Sequence, residues 1–281
     1  MSLRGAQATK QSRFSKATAP DSVEIVRLQA MRLKLHRLDP PRPIRNLRVA
    51  LAFIKERRIV LSTGRSSLPM LAEVIAGRHL RGSWMANPEV YQIYELLKRI
   101  YRHPDVLSAS IVLGKDTLIH ESLGPAVERI ASDPERRRVA LAALPPLARR
   151  LLNEVERAGE VRMDRWSAST KPAREARLRL ERDLLAISRE LHTERGYHTA
   201  VVLPWRRSKS STYYRVKARR LTYDRAVDEV MVAAIHSAVI APEREVRRWF
   251  QFGRNRLDTM IQRGTLARLG TGRQTWLALH P

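Results

Sequence analysis

Cysteine is absent from the 281 residues, which excludes a disulfide framework, a cysteine zinc site and thiol catalysis. A reducing, intracellular setting is the expectation, and cytoplasm with nucleoid association is the compartment it suggests. Nothing in the sequence approaches the ~18 consecutive apolar residues of a membrane span. The opening Met1-Ser2-Leu3-Arg4 has no apolar core of a secretory signal either, so no membrane partner is expected. Enzyme signatures are scarce: H-E-x-x-H, G-x-S-x-G, a P-loop and a clustered carboxylate set for magnesium are all missing. No cofactor and no metal are expected. His192 and His198, with Glu194 between them, fall in an expected hairpin at a spacing without metal-site precedent. Asp116, His120 and Glu121 are the acid/base candidates near another hairpin, where solvated side chains are the default.

Acids are the scarcest commodity relative to their opposites. Lys+Arg is 53 against 28 for Asp+Glu, a formal charge of +25, while 43% hydrophobic residues supply material for a packed core. Such an excess points to a polyanion, nucleic acid first. The basic residues are 44 Arg and 9 Lys; Arg is the better reader of phosphates and guanine edges, but a GC-rich genome produces the same ratio. Residues 1–20 carry Arg4, Lys10, Arg13 and Lys16 without an acid. A basic arm lying on a phosphate backbone is the economical reading, and an organelle transit peptide is the other.

Periodicity divides the chain into repeated patterns of 70–90 residues. Residues 1–43 form the arm and a basic amphipathic helix from Asp21, stopped by Pro40-Pro41-Arg42-Pro43. Over 44–131 the signals run helix (44–57), strand (59–61), helix (68–76), helix from Pro88, and a hairpin through Gly114-Lys115-Asp116. The last sixty residues repeat this order: helices at 223–239, 242–250 and 255–262, then strands at 266–269 and 275–279. A weaker copy occupies 132–205, with helices over 134–157 and 172–190 and a hairpin over 191–205. Residues 206–221 read as a basic linker and 222–281 as the final unit. The fold class expected is mainly α with short β-hairpins, arranged as tandem winged helix-turn-helix units whose third helices enter a groove.

Three successive units of this outline resemble the tandem winged-helix proteins that include the bacterial AlkZ/YcaQ DNA glycosylases, most closely over the helix and hairpin of 178–205 and in the last sixty residues. The resemblance implies duplex DNA as partner and, in that family, a Gln-x-Gln or Gln-x-Asp motif positioning the hydrolytic water. The similar string here is Gln92-Ile93-Tyr94, with tyrosine where the second polar group belongs, so no catalytic residue is carried over.

Three groups of residues are candidate contacts. In 206–220, Arg206, Arg207, Lys209, Arg215, Lys217, Arg219 and Arg220 stand without an acid and interleave with Tyr213, Tyr214 and a hydroxyl run, a pattern suited to tracking a phosphate backbone. At the C-terminal helix-turn-helix, Arg244, Arg247, Arg248, Arg254, Asn255 and Arg256 are placed to meet DNA, with Arg268 and Arg273 near the wing. In the loop 77–87, Trp84 is either a wedge or stacking surface for a base or an anchor on the core. Thr63-Gly64-Arg65-Ser66-Ser67 reads as a turn and helix cap more than as a phosphate nest. The sequence therefore favours a double-stranded DNA-binding protein over an enzyme, the enzymatic alternative being a glycosylase acting on a flipped base. A module of a nucleoprotein complex, meeting RNA or an acidic protein, is the third reading.

Overall fold

The computed structural model describes residues 19–166, 170–192, 198–253, 255–270 and 274–280. After helix α1 (Ala19–Leu35), one order of elements occurs three times. The first pass is α2 (Leu47–Arg57), β1 (Ile59–Leu61), α3 (Leu71–Ala76), α4 (Val90–Tyr101), β2 (Val106–Val112) and β3 (Lys115–His120). Helices α5 (Gly124–Ser132) and α6 (Pro134–Ala142) lead to the second: α7 (Pro146–Ala158), β4 (Val161–Arg162), α8 (Met163–Trp166), α9 (Lys171–Arg182), β5 (Ala186–His192) and β6 (His198–Pro204). Helix α10 (Lys209–Ala218) precedes the third: α11 (Tyr223–Ala238), β7 (Ile240–Pro242), α12 (Glu243–Trp249), α13 (Arg256–Gln262), β8 (Leu266–Leu269) and β9 (Trp276–Leu279). Each pass makes a three-stranded antiparallel sheet with its last strand central: β1-β3-β2, β4-β6-β5 and β7-β9-β8.

Local chemistry sets the boundaries. Asn46, Asp133, Thr170, Ser208 and Thr222 each accept a backbone N–H at a helix start, relieving donors that the first turn leaves unpaired. Proline opens α6, α7 and α9, where its missing N–H is harmless. The helix expected over 172–190 stops at Arg182, because Leu184 turns the backbone to φ 48° and residues 186–192 pair with 198–204 as β5 and β6. Ser188, Arg189 and Glu190 suit a helix as well as a strand, and long-range pairing decides between them.

The linker expected at 206–221 is also corrected. It is a 3-10 turn (Trp205–Arg207) followed by α10, and α10 packs on α5 through Ser211, Tyr214 and Ala218.

The cores do not respect the repeats. One continuous apolar cluster joins Ile59, Leu107, Leu123 and Ile130 of the first third of the chain to Ala226, Val230, Ile235, Trp249 and Leu277 of the last. A second fills the space between α2, α3 and α4, and a third lies between α7, α9 and β6. Helix α11 runs through the main cluster, its alanines 226, 233, 234 and 238 fully buried. Polar ties join the units as well. Glu245 of α12 accepts from Ser66 Oγ (2.6 Å), Ser67 N (2.7 Å), Ser67 Oγ (2.7 Å) and Trp249 Nε1 (3.1 Å). Ser66 and Ser67 thus hold an anion, and it is this chain's own carboxylate. Buried Glu181 on α9 accepts from Ser110 of β2 (2.7 Å) and Ser188 of β5 (2.5 Å). Among the described residues no helix is long and apolar enough to cross a membrane.

Candidate nucleic-acid interface

Helix α10 has two chemically different faces. Toward α5 it presents Ser211, Tyr214 and Ala218, all buried. The carboxylate that receives them is Glu128 of α5, itself 3% exposed, which accepts from Trp205 Nε1 (2.8 Å) and Ser211 Oγ (3.0 Å). Burial raises the Glu128 pKa, and the hydrogen bonds from Trp205 and Ser211 pull it partly back. Gly124 lies under the Tyr214 ring, and a Cβ there would run into the ring atoms. Burial pushes the Tyr214 phenol up to about 12.

The opposite face is open. Tyr213 is 65% and Val216 68% exposed, and Lys209, Lys217, Arg219 and Arg220 are exposed around them. Positions 209, 213 and 216 follow helical spacing, so they form a stripe, and Arg219 and Arg220 follow just beyond the helix end. Lys217 Nζ stands 5.9 Å from the Tyr213 ring centroid, and Tyr213 meets Tyr214 edge-on at 4.8 Å. The cations at the head of the helix are partly engaged. Arg206 pairs with Glu156 of α7, Arg207 lies over Gly159 at the α7 C-terminus, and Arg215 Nη2 donates to the Arg206 carbonyl (3.2 Å). No carboxylate pairs with Arg207, Lys209, Lys217, Arg219 or Arg220 among the described residues.

The expected contacts in the last unit have a different fate. Arg256 makes a two-pronged bond to Asp228 (2.6 and 2.7 Å) and reaches Asp224 (2.7 Å), with its side chain only 15% exposed. Arg247 bridges Glu243 (2.5 Å) and Asp258 (2.6 Å), and Arg268 also binds Glu243 (2.9 Å). The hydrogen bonds it donates to Asp258 and Glu243 raise the Arg247 pKa far above its ordinary value. These arginines neutralise their own neighbours. Arg244, Arg248 and Asn255 remain exposed, and Asn255 makes no capping bond at the start of α13. Arg254 and Arg273 lie outside the described residues, as do Glu194 and the basic arm's Arg4, Lys10, Arg13 and Lys16.

In the first unit Trp84 opens a 3-10 turn and is half-buried against the core of α2, α3 and α4, which is the anchor reading of that residue. Met85 beside it and Tyr91 in the first turn of α4 are the exposed ones. Gln92 is committed to structure: its Oε1 accepts from Arg45 Nη1 (2.8 Å) and its Nε2 donates to the Ile44 carbonyl (3.3 Å). Glu128 is the residue that sequence reasoning missed. Its one signal was a carboxylate inside the apolar run Ala126-Val127-Glu128-Arg129-Ile130.

No protein-family model matches this chain, and no curated protein matches it. One solved structure does. Over 90% of this chain and 68% of the other, it is similar to the DNA glycosylase AlkZ of Streptomyces sahachiroi, with 14% sequence identity and a TM-score of 0.43.

Proposed function

We propose that the chain binds double-stranded DNA through phosphate contacts on the open face of α10, carried on three winged helix-turn-helix units. The observation behind this reading is the contrast in how the cations are used. Lys209, Lys217, Arg219 and Arg220 are exposed along the same segment as Tyr213, Lys217 lying over its ring, with no carboxylate partner among the described residues, whereas Arg247, Arg256 and Arg268 are paired within the fold. A salt-bridged arginine must give up its carboxylate before it can hold a phosphate, and an unpaired one has only counterions to release. The thrice-repeated order of helix, strand, helix, helix and hairpin supports the winged-helix reading, in which the third helix faces a groove and the hairpin rests on the backbone. The alternative, a glycosylase acting on a flipped base, would need its water positioned by groups other than Gln92, which is engaged by Arg45 and Ile44.

Fluorescence anisotropy on a labelled duplex between 50 and 200 mM salt tests it. Phosphate contacts make affinity fall with a log–log slope of about −0.9 per contact. The triple change Lys209→Ala, Lys217→Ala, Arg220→Ala is expected to reduce that slope by about 2 to 3. Salt-independent binding, or an unaltered slope in the triple variant, counts against α10 as the contact surface.

A further inference from the structure

A second surface lies at the N-terminal end of α4. The 3-10 turn Trp84–Ala86 is built to be rigid. Trp84 is packed on the core, Ser83 Oγ accepts from Met85 N (3.3 Å), and Asn87 Nδ2 donates to the Ser83 carbonyl (2.8 Å). Arg78 clamps the far side through Asn87 Oδ1 (3.3 Å) and Glu89 (2.8 Å). On this braced platform Met85 is 67% and Tyr91 76% exposed. Two large side chains are thus held out in water on a braced turn and the helix that follows it.

Tyr91 shares a helix face with positions 95, 98 and 102, and the exposed cations Lys98 and Arg102 lie on that face, with Arg99 beside it and Arg81 on the loop. Glu95, 3.7 Å from Lys98, and Glu89, 2.8 Å from Arg78, are the acids beside them. Two exposed side chains with cations farther along the helix face are far too small for a protein interface of about 1,000 Å². They have the size and the charge surround of a wedge between base pairs, with flanking cations on the phosphates. Helix α4 is also the third helix of its repeat, and its N-terminal end is the end that such helices offer to a groove.

We propose that Met85 and Tyr91 form a wedge that enters a base step of bound duplex DNA and unstacks it. This rests on the duplex-binding reading above but concerns a different surface, so the two fail separately. The test uses a duplex carrying 2-aminopurine at its TA steps and dyes at its ends, with the wild type and the double variant Met85→Ala/Tyr91→Ala. Binding by the wild type raises 2-aminopurine fluorescence about threefold or more and changes the end-to-end transfer efficiency. The double variant, with an unchanged melting temperature because both side chains are exposed, still binds in anisotropy but loses most of the fluorescence rise. Wild-type binding with flat fluorescence overturns the wedge and leaves duplex binding standing, as does a full rise in the double variant. A wild type that binds no duplex overturns both. A dimer in sedimentation that the double variant dissociates, with its fluorescence rise intact, assigns the surface to a second copy of the chain and overturns the wedge.

Discussion

Arg256 separates the presence of a charge from its availability. Its sequence position, at the head of α13, suggests a groove contact, yet Asp224 and Asp228 on α11 already hold it. Those partners lie 28 to 32 residues upstream, a separation that local pattern reading does not cross. Arg256→Glu sets a carboxylate against two others. Allowing for solvent screening, the expected loss is about 1–2 kcal/mol, or a fall in melting temperature of about 2–6 °C for a chain of this size. Arg248→Glu, at an exposed residue, should move the melting temperature by no more than about 1 °C; a thermal melt of the two variants side by side checks both. His36 gives a prediction in pH. Its Nε2 donates to the Ser237 carbonyl (2.9 Å), and burial lowers its pKa from 6.5 to about 4. Between those values the unfolded chain takes up a proton that the folded chain refuses. The stability supplied by neutral His36 is therefore complete above about pH 6.5, declines as pH falls and is lost below about 4. Urea unfolding at pH 7 and pH 5 should show the drop, and His36→Gln, which keeps a donor and does not titrate, should shrink it.

At the scale of elements, most helices were readable because their buried faces are apolar and their caps conventional: α4 hides Ile93, Leu96, Leu97 and Ile100, and Thr222 caps α11. Helix α10 was not readable, for a physical reason. Its buried face is Ser211, Tyr214 and Ala218, with a polar carboxylate opposite, so the sequence shows no apolar stripe and the segment resembles a linker. What holds it is a set of close fits. Gly124→Ala should drive the Tyr214 ring off α5, costing about 1–3 kcal/mol and weakening duplex binding if α10 is the contact surface. Glu128→Ala leaves the Trp205 N–H and the Ser211 hydroxyl buried without an acceptor, a loss of about 2–4 kcal/mol. Denaturant midpoints rank the two, and near-native stability in Glu128→Ala would show that α10 is held by other contacts.

Over the whole molecule, the +25 charge pointed to a polyanion but could not say which face meets it, since arginines occur on nearly every helix. Pairing within the fold narrows what composition left open: Arg247, Arg256 and Arg268 are held by carboxylates, whereas Lys209, Lys217, Arg219 and Arg220 are exposed without one among the described residues. The repeat of elements was visible in sequence as a pattern, but the sharing of one core between the first and last repeats was not, because apolar residues carry no record of their distant partners. That sharing sets an order on synthesis. Ile59, Leu107, Leu123 and Ile130 are covered by residues 226–277, so a ribosome that has made the first 220 residues holds a chain whose largest apolar face is still wet. Until α11 emerges, the first half must wait unfinished, a sticky intermediate that a chaperone would be expected to bind.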